Sequence, residues 1–282
     1  MRKILIPTDF SDNAQNAKNY AVDLFKYEIC EFYFLHAYQD EVYADEVSLT
    51  QENIDDVAAA IGKTSEEKLK DIVANTKSIF SNPRHSYHII SANNLLVDEA
   101  NKIVDDENID LILMGTRGKT DDRKLTFGSN TLQVLKYVQC PVLAIPQGYK
   151  YTQPKHILFT TDYMIPYKRR ELKLLCEIAA PYRATIDMLY VSKSNRLSLR
   201  QEDNRKFIEN ELGKNTINFK IDNSKHVINA VYKHIKENNT DILVMVNTRY
   251  SILENILFQS TIDELSLNLD IPFLALQNMR RN

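Results

Sequence analysis

Short, almost wholly apolar runs recur along this chain with amphipathic stretches between them, and the series occurs twice. KILIPTDFS at 3–11 is answered by HILFTTDYM at 156–164, and DLILM at 110–114 by DILVM at 241–245. Phe127 and Ser129 find counterparts in Phe258 and Ser260, and CPVLAI at 140–145 in IPFLAL at 271–276. The late pairs stand 131 residues apart and the first pair 153, so the first copy carries about 22 additional residues. The polar segment 39–64, after the second apolar run, is the best place for them. A repeat of this kind with one insertion is a tandem duplication.

In the first copy the apolar runs 3–7, 32–36, 87–90, 110–114 and 142–145 read as strands. The segments 13–25, 69–80, 96–107 and 130–137 read as helices, with stripes such as Ala14, Ala17, Ala21 and Leu24 at helical spacing. The second copy repeats the order, with Leu172, Leu175, Cys176 and Ala179 on one helix and Val227, Val231 and Ile235 on another. Strands apolar on both faces and separated by amphipathic helices demand a parallel sheet covered on both sides. The expected fold is therefore α/β: two tandem doubly wound domains, 1–147 and 154–282, each with a mainly parallel five-stranded sheet. QGYKYTQ, between Pro146 and Pro154, joins them.

Composition narrows the function. A net charge of −3 argues against a nucleic-acid binder, which would need a basic stripe. No apolar run approaches the roughly 18 residues of a membrane helix, and MRKILIPTDF lacks the apolar core of a secretory leader. Cys30, Cys140 and Cys176 are scattered and lie among apolar residues, as buried thiols of a cytoplasmic protein would. The six histidines show no metal-ligand spacing; His85 and His88 belong to an alternating strand that points them to opposite faces.

Three of the six glycines fall within MGTRGKTDDRKLTFGSNT at 114–131. Glycine is kept where the chain needs positive φ or where something approaches the backbone closely. Gly115 lies just past the fourth strand, where ligands of open α/β sheets bind. Gly128 and Ser129 precede a helix whose free N–H groups suit phosphate; Ser129 or Asn130 would cap it. Lys119, Arg123 and Lys124 would close the loop over an anion. GTRGKT is not a P-loop, because that motif needs glycine at the place of Leu113. Asp9, after the first strand, can accept hydrogen bonds from a ribose or an adenine amine, or simply hold the helix start at Ser11.

The spacing Gly115, Gly118, Gly128, Ser129 resembles the universal stress protein family, of the adenine-nucleotide alpha hydrolase-like superfamily. KILIPTDFS and CPVLAIP are similar to that family's first and last strands. The resemblance implies a site for ATP or another adenine nucleotide in the first half, with Mg²⁺ as the nucleotide's candidate companion. Pro7, Asp9 and Ala37 would line the adenosine pocket, with Met114 beside the base. Gly115, Arg117 and Gly118 would hold ribose and phosphates, and Gly128, Ser129, Asn130 and Thr131 would wrap the phosphate tail. In the second half Val246, Arg249 and Gln259 replace the three glycines and only Ser260 and Asp162 remain, which implies a degenerate domain without ATP. The family also pairs domains through last strands, which implies that Val142–Ile145 joins the segment from Phe273 to Leu276.

The leading expectation is an ATP-binding stress-response protein that binds nucleotide only in its N-terminal half. The alternatives are a slow ATPase, with Asp121 and Asp122 as candidate magnesium ligands, and a scaffold that needs no nucleotide. The acidic insertion would then serve as a partner surface or a lid.

Overall fold

The computed structural model describes all residues except 45–52, 119–126, 166, 195, 248–268 and 279–282. The described residues divide into two compact units, the first holding Met1–Asp122 and Phe127–Cys140, the second Pro141–Arg280.

In the first unit β1 (Arg2–Pro7) leads to α1 (Asp12–Leu24), β2 (Cys30–Ala37), α2 (Gln39–Val42), α3 (Ile54–Ile79), β3 (His85–Ala92), α4 (Leu96–Asp106), β4 (Leu111–Gly115) and α5 (Ser129–Tyr137). The strands run parallel in the order β3-β2-β1-β4. Ile4, Leu5 and Ile6 are wholly buried because β1 is central and covered on both faces. The chain leaves β1 toward β2 on one side and reaches β4 on the other. That makes the carboxyl ends of β1 and β4 the switch point at which such sheets open a crevice. His85 meets Phe32 edge-on while His88 stacks on Tyr33, so the two histidines do lie on opposite faces.

The segment 39–64 differs from the expectation of an insertion apart from the third helix. Gln39–Val42 forms a helical turn, and α3 begins at Ile54, well before residue 69. Ala58, Ala59, Ala60 and Ile61 favour helix, and the buried stripe Ser65, Leu69, Ile72 and Thr76 docks the rest of α3. Gly62 fits there because a Cβ would stand 2.7 Å from the Tyr38 hydroxyl.

The second unit begins with β5 (Val142–Ile145) and continues through β6 (His156–Thr160), α6 (Arg169–Ala179), β7 (Thr185–Val191), α7 (Leu199–Leu212), β8 (Thr216–Asp222), α8 (Val227–Glu237), β9 (Ile242–Asn247) and β10 (Phe273–Gln277). The strand order is β5-β10-β9-β6-β7-β8. Neighbouring strands in this order run parallel except β5 with β10, where Phe273 faces Ala144 and Ala275 faces Val142. The expected pairing of the two last strands is present, and β5 lies in the second unit although it closes the first copy of the repeat. Among the described residues no helix is long and apolar enough to cross a membrane.

Candidate functional site

A cleft of about 700 Å³, open to solvent, lies at the carboxyl ends of β1, β2 and β4. Pro7, Asp9, Ala37, Met114, Gly115, Arg117, Gly118, Asn130 and Thr131 line it, so nine of the eleven residues singled out from sequence come together. Gly128 and Ser129 are not on its wall but begin the helix whose first turn supplies Asn130 and Thr131. Thr8, Ala14, His36, Asp40, Glu41 and Leu96 line it as well. Sequence reasoning missed these six. Ala14 and Leu96 read as core stripe residues, and Asp40 and Glu41 were hidden in a polar segment.

The turn after β1 is built by its own side chains. Thr8 Oγ1 accepts from Phe10 N at 3.0 Å, and Asp9 Oδ1 accepts from Ser11 N at 3.0 Å and from Ser11 Oγ at 2.6 Å. These bonds hold Phe10 at φ 63°, a rare conformation for an aromatic residue. Ser11 in turn caps α1 by accepting from Ala14 N at 3.2 Å. Asp9 therefore holds the helix start, and its other oxygen faces Gly118, where a Cβ would stand 2.7 Å away.

The three motif glycines have different physical reasons, and none has positive φ. A Cβ on Gly115 would come within 2.5 Å of Asn13 Nδ2. That amide donates to Arg117 O at 2.7 Å, binding the loop after β4 to α1. Asn13 Oδ1, beside it, is buried without a partner among the described residues, an acceptor that a water or ligand donor would satisfy. Gly128 is different. Its N–H donates to Thr116 O at 2.7 Å, but among the described residues a Cβ there would meet nothing nearer than Arg117 Cα at 3.5 Å, an ordinary contact. Packing among the described residues does not require glycine at 128.

Gly128 is also the N-cap of α5, and no side chain caps it. This corrects the expectation that Ser129 or Asn130 caps the helix: Ser129 and Asn130 are already helical and exposed. Thr131 is committed to structure, since its hydroxyl donates to Gly115 O at 2.9 Å and ties the first turn of α5 to the end of β4. The N-terminus of α5 thus presents backbone donors and a partial positive charge. Lys119, Asp121, Asp122, Arg123 and Lys124 lie outside the described residues. Among the described residues no cluster of ligating side chains could hold a metal.

The family model described as "Universal stress protein family" matches residues 1–146, more than half of the chain. The chain belongs to the universal stress protein family. Universal stress protein MJ0577 of Methanocaldococcus jannaschii is 26% identical over 152 residues, which is 51% of this chain and 94% of that protein. A second universal stress protein of the same organism, MJ0531, is 26% identical over 149 residues, 53% of this chain and 84% of the relative. The crystal structure of a universal stress protein from Archaeoglobus fulgidus superposes with a TM-score of 0.66 at 18% identity, covering 98% of this chain and 96% of that one. At that identity the likeness speaks for the fold alone, and it runs through both copies.

In this universal stress protein the corresponding place of the second unit is packed by side chains. Thr161 Oγ1 accepts from Tyr163 N at 2.9 Å and Asp162 Oδ1 from Met164 N at 2.8 Å, the turn seen after β1, with Tyr163 at φ 57°. Tyr167 hydrogen-bonds Thr161 and sets its ring edge-on to Phe159. Burial pushes the Tyr167 hydroxyl well above its ordinary range and that of Tyr163 up to about 12. Gln201 Nε2 donates to Asp162 O at 2.8 Å and to the Tyr190 hydroxyl at 3.2 Å, so α7 closes over the turn. Val246, at the place of Gly115, is buried, and Asn247 Nδ2 donates to Gln277 Oε1 at 2.9 Å. Arg249, Gln259, Phe258 and Ser260 lie outside the described residues.

Proposed function

We propose that the chain is a nucleotide-responsive universal stress protein that binds ATP in the first unit and not in the second. The observation that carries this reading is Gly128. It is a glycine that packing among the described residues does not need, placed at a helix N-terminus with no side-chain cap, beside a cleft at the sheet's switch point. Its bare backbone leaves room for a phosphate. In this reading Pro7, Ala37, Met114 and Leu96 form the apolar bed of the base, and Asp9 accepts from the sugar. Arg117, Gly118, Ser129, Asn130 and Thr131 hold the phosphate chain, chiefly through backbone N–H groups, while Gly128, whose own N–H is taken by Thr116 O, leaves the room for it. The second unit serves architecture: Tyr163, Tyr167, Tyr190 and Gln201 occupy the space that a nucleotide would use. Domains at 1–147 and 154–282, in a cytoplasmic protein, complete the proposal. Binding rather than turnover is the activity proposed.

The test is denaturation of the freshly purified chain, chromatography of released nucleotide, and titration of stripped protein with ATP. About one site per chain is expected. Gly128→Ala is expected to keep the melting temperature within about 2 °C and to weaken ATP at least about tenfold, because the added methyl sits in the phosphate path. Gly118→Val, which also crowds Asp9, is expected to abolish measurable binding. Two sites per chain, or undiminished affinity in both variants, would overturn the reading.

A further inference from the structure

The cleft carries charges of both signs. Three carboxylates line it: Asp9 on the β1–α1 turn, whose Oδ2 faces Gly118, and Asp40 and Glu41 on α2, just beyond Ala37. Arg117 and Asn130, the latter in the first turn of α5, line it as well. Glu41 is braced from beneath. Ser91 Oγ donates to Ser65 Oγ at 2.7 Å, Ser65 Oγ meets His36 Nδ1 at 2.9 Å, and His36 Nε2 meets Glu41 Oε1 at 3.3 Å. A carboxylate only accepts, so Nε2 carries the proton; in the neutral ring Nδ1 then receives the Ser65 hydroxyl. His36 is 3% and Ser65 2% exposed, so the chain of bonds runs through packed interior. The early start of α3 brings Ala60, Ile61, Thr64 and Ser65 over His36 and Glu41, and this is what the longer first copy builds.

Resting on the nucleotide reading above, we infer that this acidic wall selects adenine nucleotides whose ribose 2′ and 3′ hydroxyls are free. It disfavours nucleotides phosphorylated on that edge, 3′,5′-cyclic AMP first among them. A free hydroxyl donates to a carboxylate in a charge-assisted hydrogen bond. A phosphodiester closed onto O3′ removes that donor and brings a negative charge toward three others. Asp40 and Glu41 are thus specificity-determining residues, and His36 and Ser65 position one of them.

The experiment is displacement of ATP from the full chain by 5′-AMP and by 3′,5′-cyclic AMP at low ionic strength, with wild type and the Asp40→Asn/Glu41→Gln double variant. Wild type is expected to prefer AMP by about tenfold or more. In the double variant the ratio is expected to fall below about threefold, chiefly because cyclic AMP tightens. Ser65→Ala, which loosens Glu41 without touching ligand, is expected to lie between the two. Cyclic AMP competing as well as AMP in wild type overturns the inference, as does a preference that survives the double variant. Failure of AMP to displace ATP also overturns it, since the sugar edge then contributes nothing selective. If ATP itself does not bind, it is the nucleotide reading that fails.

Discussion

After β1 and after β6 the chain makes the same turn, and the two turns have opposite surroundings. In both, a threonine hydroxyl and an aspartate carboxylate hold an aromatic residue at positive φ. In the first unit the turn opens onto a cleft; in the second, Tyr167 and Gln201 fill the space above it. The Thr-Asp-aromatic repeat is therefore explained by local geometry before any ligand is considered. Asp162 persists because the turn needs it, so it is no relic of a lost site. What separates the units is Gly115 against Val246, and an uncovered cleft against one packed with tyrosine.

Removing the filling is the strongest way to break this comparison. Tyr167→Ala deletes a ring that is 9% exposed and is expected to destabilise the chain by about 3 kcal/mol, read from denaturant unfolding. It should create no second ATP site, because Val246 still occupies the glycine position. A second site appearing in that variant would mean that the tyrosines merely gate a working cleft.

Gly115→Ala sharpens the other side. Its methyl would drive Asn13 from Arg117 O, so a loss of about 1–3 kcal/mol is expected together with weaker ATP binding. Unchanged stability would show that Asn13 moves freely and that the glycine serves the ligand alone. Its contrast with Gly128→Ala separates a glycine kept for packing from one kept for binding.

The smallest expected effect concerns acid. Tyr33 and Asp187 hold matching places in their sheets: Tyr33 pairs across to His88, Asp187 to Asn218. Tyr33 takes part in a cluster with Lys3 and Glu107, and burial with hydrogen bonds to Glu31 and Glu107 pushes its hydroxyl up to about 12. Asp187 meets Lys220 at 2.7 Å and His234 at 3.0 Å. Burial pushes the Asp187 carboxyl up, but Lys220, Asn218 and His234 together hold it below its ordinary range. Burial lowers His234 despite the pull of Asp187. Both shifts have one sign. The depressed imidazole contributes stability above its unfolded value near 6.5 and loses it as pH falls through the folded value; the depressed carboxyl does so lower, below about 4. Wild type should lose stability as pH falls below about 6.5, and His234→Gln should flatten that decline. A decline of equal slope in the variant would assign the acid sensitivity elsewhere.

The central strands were legible because both of their faces are buried, which leaves runs such as ILI and LILM with no polar alternation. The cleft was legible because glycine is scarce here and its spacing is specific. The early start of α3 was not, since two of the four residues in its buried stripe, Ser65 and Thr76, are polar. Thr76 donates to Ile72 O and Ser65 belongs to the bonds behind Glu41, so neither announces a core position. The motif glycines read as places of close approach to the backbone, and their dihedrals are ordinary; what stands closest to Gly115 and Gly118 is the protein's own Asn13 and Asp9. Contacts of that kind join residues about a hundred positions apart, and no local pattern records them.

β5 belongs to one copy of the repeat by descent and to the other unit by contact. Severing the chain in the segment 147–153 would strip β10 of its antiparallel neighbour and leave a bare strand edge. Two fragments made in that way should recombine by strand addition when mixed. A chain in which one half lends its last strand to the other unit is not divisible at its seam.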